Sequence, residues 1–165
     1  MKHKETLITV IALVAIGVTS FVAYRHEQKR DASSCPFCDR MVHYGTAYRL
    51  SVGNQILVAC CPRCGMHYAA KRPGDVQEAR ATDLNSGELI PAESAYYVEG
   101  GDVEYCTLGE HPVQRVPQGV SVRAYDRCLP TLVAFKTRPE AEAYRKQHGG
   151  RVLDYAQAME HVRGQ

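Results

Sequence analysis

Seven cysteines in 165 residues are the side chains best placed to do chemistry in this chain. Four of them form two pairs, Cys35-Pro-Phe-Cys38 and Cys61-Pro-Arg-Cys64, with 22 residues between the pairs. A C-x-x-C turn points two thiolates at one centre, and a hairpin between two such turns delivers a tetrahedral four-sulfur set. Cys35, Cys38, Cys61 and Cys64 are therefore the expected centre. The spacing, slightly wider than in most zinc ribbons, leaves three chemistries open. A structural zinc would supply folding energy of order 10 kcal/mol. A transferable metal would use the same thiolates as a carrier. Thiol–disulfide exchange would exploit Cys61 at a helix N-cap and Cys64 one turn inside, where the macrodipole lowers a thiol pKa. No thioredoxin-like order of strands and helices surrounds the pair.

The remaining candidates flank these four. Cys60 reads either as a small buried hydrophobe at the end of a strand or as an extra ligand beside Cys61. Met41 and Met66 follow the two pairs closely, and thioethers beside thiolates suit copper(I), a soft ion, better than zinc(II). Both methionines read equally well as packing residues. Cys106 and Cys128 bracket the stretch from Gly100 to Pro130, which is too long for an ordinary loop. In an oxidising compartment they would form a disulfide worth roughly 3 kcal/mol, and otherwise they are soft ligands. His111 is a weaker ligand candidate within that stretch. No hydrolytic constellation emerges: Glu93, Asp102 and Glu104 read as solvated, and there is no phosphate-cradling glycine loop.

The elements that must position these side chains begin with an uncharged run from Thr6 to Tyr24. As a helix it would be about 28 Å long, close to the ~30 Å hydrocarbon core. Lys2 and Lys4 precede it, and Arg25, Lys29 and Arg30 follow. The expectation is a transmembrane signal anchor in the inner membrane with the remainder extracytoplasmic. The competing reading is a signal cleaved after Ser20. Residues 1–30 then form the membrane anchor and linker, 31–83 the cysteine-rich metal-binding unit and 84–165 a second α+β unit. Tyr48, Leu50 and Val52 alternate as a strand, Gly53-Asn54 turns, and Ile56, Val58 and Cys60 are expected to share the apolar face of a second strand. A helix starts at Pro62 and stops before Pro73-Gly74, and a third strand follows to Ala81. Strand, strand, helix, strand recurs over 95–153, with Thr137 and Glu140 as a capping box and Gly149-Gly150 as the stop. The expected fold class is α+β: a transmembrane helix followed by two small strand-strand-helix-strand units, the first carrying the zinc-ribbon-like cysteine hairpin. The formal charge is +2, but residues 31–165 hold 15 basic against 16 acidic side chains. That balance leaves no electrostatic footprint for nucleic acid.

The run Cys35-Pro-Phe-Cys38-Asp39-Arg40-Met41 resembles the cysteine–methionine motif that opens nitrous oxide reductase accessory proteins of the NosL type. Ala81 to Ala92 with Ala95-Tyr-Tyr-Val98 is similar to that family's central segment. Pro130 to Phe135 and Glu140 to Gly150 are similar to its carboxyl part. The resemblance covers most of 35–153. It implies two small α+β units, a fold shared with organomercurial lyase, and extracytoplasmic delivery of copper(I) to a copper enzyme such as nitrous oxide reductase. The chain departs from the pattern in its hydrophobic N-terminal segment, where the family commonly carries a lipid anchor. It departs again at Cys128-Leu-Pro130, which stands where a methionine is usual. Val58 to Cys64 also resembles heavy-metal sensing and trafficking modules. The expectation is thus a non-enzymatic, membrane-anchored copper(I) or zinc binding accessory protein. The alternatives are a structural-zinc interaction domain and a thiol–disulfide oxidoreductase.

Overall fold

A computed structural model describes residues 13–22, 34–107 and 128–164. The chain divides into two units, Met1–Ser34 and Cys35–Gln165. In the first, Leu13 to Val22 is helical and exposed, with the Thr19 hydroxyl donating back to the carbonyls of Ala15 and Ile16. This corrects the expected transmembrane helix. Among the described residues no helix is long and apolar enough to cross a membrane. A single-pass inner-membrane anchor is therefore not supported. The rest of the expected span, 6–12 and 23–24, lies outside the described residues.

The second unit is α+β. Its first sheet contains β1 (Tyr48–Val52), β2 (Gln55–Ala59), β3 (Val76–Thr82) and β4 (Leu89–Pro91), antiparallel in the order β2-β1-β3-β4. Helix α1 (Pro62–Lys71) connects β2 to β3. The second sheet contains β5 (Tyr96–Glu99), β6 (Leu132–Phe135) and β7 (Arg151–Leu153) in the order β6-β5-β7. Helices α2 (Arg138–His148) and α3 (Tyr155–Arg163) flank β7 in the chain. Asp83, just past β3, forms a parallel bridge to Ala134 of β6, and Leu84 N–H donates to the Ala134 carbonyl at 2.9 Å.

Local chemistry explains most of these boundaries. Gly53 turns the β1–β2 hairpin with φ +56, a conformation that costs glycine nothing. Thr137 and Asp154 start α2 and α3 with complete capping boxes, closed by Glu140 and Gln157. Pro62 occupies the first turn of α1, where its missing N–H is no loss.

The face of β2 is the reverse of the one expected. Leu50 pairs with Leu57 and Tyr48 with Ala59, so Leu57 and Ala59 turn inward. Ile56 is left 66% exposed. Alternation has a period of two, so fixing one pair fixes every other side chain on the strand. Cys60 is buried for a different reason: it lies beyond the end of β2, where the chain bends into α1.

Candidate metal centre

Three chain segments deliver the thiols, the third being the two ends of the stretch from 106 to 128. In the first, Cys35 to Cys38 makes a tight turn in which Cys35 N–H donates to the Arg40 carbonyl and Asp39 N–H donates to that of Cys35. Asp39 takes φ +60 to close it. In the second, Cys60 and Cys61 leave β2 and Cys64 lies in the first turn of α1, with Cys61 as N-cap. Gly65, next along, lets the helix press on β1: a Cβ there would stand 2.2 Å from Cδ1 of Tyr48. In the third, Cys106 sits in a short 3-10 turn (Tyr105–Thr107) and Cys128 lies just before Pro130.

Arg63 ties the third segment to the second. Fully buried, it donates from Nε to the Pro130 carbonyl at 2.6 Å and from Nη2 to Glu99 Oε1 at 2.6 Å. Glu99 also accepts from Arg151 at 2.7 Å, and His161 Nδ1 lies 3.1 Å away. Burial pushes the Glu99 carboxyl up, but the hydrogen bonds from Arg151 and Arg63 outweigh it and hold the group below its ordinary pKa.

None of the seven cysteines is in a disulfide, and they converge. Cys35, Cys38, Cys60 and Cys64 form one group able to hold a metal ion; Cys60, Cys61, Cys106 and Cys128 form a second. In each group the sulfurs lie within 4.8 Å of one another. Cys60 Sγ is 3.5 Å from that of Cys38, 3.7 Å from Cys64, and 3.8 Å from both Cys61 and Cys128. A tetrahedral ion with metal–sulfur bonds of about 2.3 Å sets its sulfurs about 3.8 Å apart. The thiols already stand at the spacing an ion would impose.

Without an ion, neighbouring thiols divide the protons among themselves. Against an opposing contact with Cys38, those with Cys60 and Cys64 pull Cys35 down to about 6. Against Cys128, contacts with Cys35, Cys60 and Cys64 pull Cys38 down to about 3. Hydrogen bonds with Cys106 and Cys38 lower Cys128, while contacts with Cys106 and Cys128 raise Cys60. The shifts run in both directions across the cluster, and thiolates are the form that ligates a metal.

The arrangement redistributes the expected site. Cys61, expected beside Cys35, Cys38 and Cys64, groups with Cys106 and Cys128, and Cys60 takes its place in the first set. Cys106 and Cys128, expected as a disulfide or as soft ligands, lie in the second set with no disulfide between them. Met66 is fully buried in the core that contains the cysteines, whereas Met41 is 65% exposed. His111 lies outside the described residues. Arg63 and Glu99 were missed, since one arginine between two cysteines carries no sequence signal of burial. Cys38 is the only one of the seven thiols not buried. A groove of about 550 Å³ runs past Cys64, lined also by Pro36, Phe37, His67, Tyr68 and Arg72.

Comparison with known proteins adds to this geometry. The chain is 25% identical over 128 residues to the HTH-type transcriptional repressor CutR of Bacillus subtilis (strain 168), a match covering 76% of this chain. It spans only 56% of that repressor's length. The fold is similar to that of the copper chaperone NosL from Shewanella denitrificans, with a TM-score of 0.54, 18% identity, and coverage of 75% of this chain and 87% of that one. At that identity the likeness is one of fold. No protein-family model matches the chain.

Proposed function

We propose that this protein is a metal-binding accessory protein, a chaperone that carries copper(I) in its cysteine cluster and passes it to a copper enzyme. The observation that carries the reading is the convergence of seven thiols at ligand spacing, six of them buried and Cys38 half-buried. Thiolates select soft ions, and copper(I) is the soft ion that a NosL-like fold would handle. Cys38 is the point of entry and exit, because an incoming acceptor ligand can reach it without opening the core. The client is a copper-requiring enzyme of the nitrous oxide reductase kind, and the chain itself performs no catalysis. The same sulfur spacing also favours a second reading, an interaction domain folded by inert zinc.

The test is an anaerobic copper(I) titration of the full chain against a chromogenic chelator, followed by mixing with the apo form of a nitrous oxide reductase. The expected result is stoichiometric binding, with one copper(I) lost or held at least 100-fold more weakly in Cys38→Ser, and transfer to the enzyme faster than release into buffer. A chain that competes for copper no better than its Cys38→Ser variant contradicts the proposal. Zinc that resists both chelator and client would select the second reading.

A further inference from the structure

The geometry points to a binuclear centre, in which two soft metal ions are held by all seven cysteines and share the Cys60 thiolate as a bridge. This rests on the reading that the cluster binds metal and goes further, to the number of ions and the way they are joined.

The count itself is informative. Two isolated four-sulfur sites need eight thiolates, whereas two tetrahedra sharing one corner need seven. The chain has seven cysteines, and every one falls in one of the two groups, with Cys60 alone in both. Its position matches the role. Cys60 Sγ lies within 4.0 Å of the sulfurs of Cys38, Cys64, Cys61, Cys128 and Cys106, which come from both sets and all three chain segments. A terminal ligand needs only the three partners around its own ion. The two sets also meet at Cys128, 3.6 Å from Cys64 and 3.7 Å from Cys38, so the ions would be close neighbours.

Charge favours sharing as well. Each thiolate carries one negative charge into a buried site, which is costly without compensation. One bridging sulfur in place of two terminal ones removes a full negative charge from the pair of sites. The N-terminus of α1, capped by Cys61, supplies positive dipole to what remains. Consecutive cysteines at 60 and 61 put the bridge and a terminal ligand on adjacent residues, their sulfurs 3.8 Å apart. Zinc(II) and copper(I) both accept bridging thiolates, so the same sulfur framework could hold either.

Native mass spectrometry of the full chain, loaded anaerobically with zinc(II) alone and in a parallel arm with copper(I) alone, counts the ions directly. Zinc is expected at two per chain. Cys35→Ser and Cys61→Ser should each keep one zinc, because each removes a ligand from only one set. Cys60→Ser should weaken both ions at least ten-fold. Should Cys60→Ser fail to fold, the other two variants still decide: the double variant Cys35→Ser/Cys61→Ser must lose both ions. One zinc per chain, or two that survive in Cys35→Ser and Cys61→Ser alike, overturns the bridged pair. If copper(I) still binds in that case, the chaperone reading stands. If neither metal binds, both readings fall.

Discussion

Glu99 bears on the metal centre without touching a sulfur. It receives Arg63, Arg63 holds the Pro130 carbonyl, and Pro130 is two residues from Cys128. A buried carboxylate is tolerable only because Arg63 and Arg151 both donate to it. Its pKa in the folded chain is below the ordinary carboxylate value. A group depressed in this way stabilises the fold fully above its unfolded pKa, and the contribution fades as pH falls through the folded value. Glu99→Gln should therefore be clearly less stable than the parent at about pH 6, with the gap shrinking toward about pH 3. Urea midpoints across that range would show it, and a gap independent of pH would contradict the assignment. At this scale the sequence revealed the cysteines by spacing alone, including Cys60 as an alternative ligand. It concealed Arg63 and Glu99, because 36 positions separate them and neither sits in a pattern that signals burial.

Helix α1 has to place Cys64 against a cluster drawn from two other segments, and its distance from β1 is set by one residue. Gly65 packs so closely on Tyr48 that an added methyl group would lie 2.2 Å from the ring. Tyr48 is fully buried, so the ring has no free space to move into. Gly65→Ala should cost about 1–3 kcal/mol by overpacking and weaken metal binding by displacing Cys64. Chemical denaturation and a copper(I) titration would measure the two effects, and a variant unchanged in both would show that the helix sits farther out. Signals confined to a few adjacent residues, such as the capping box at Thr137 and Glu140 or the turn at Gly53, could be read from the chain directly. Properties set by a partner strand could not. The inward face of β2 depends on which residues of β1 lie opposite, and an unbroken apolar run at 56–59 fits either choice.

Across the Cys35–Gln165 unit, two small antiparallel sheets would be an ordinary α+β fold were it not for the thiols buried in its main core. Cys35, Cys60, Cys64 and Cys128 belong to the same apolar cluster as Tyr48, Leu50 and Tyr97. An ion bound there would link the turn at 35–38, the start of α1, and the segments at 106 and 128, so folding and metal binding should be coupled. The pairing of Cys106 and Cys128 with Cys60 and Cys61 was not legible from spacing. Two cysteines 22 positions apart, bracketing a long stretch, are equally consistent with a disulfide, and only the fold brings them to the first pair of segments. X-ray absorption at the copper K-edge of the copper(I)-loaded full chain probes the sulfur ligation itself. The predicted result is a first shell composed of sulfur alone, with a copper–copper contact at short range. A shell dominated by nitrogen or oxygen, or one that is unchanged when Cys60 and Cys64 are both replaced by serine, would contradict it.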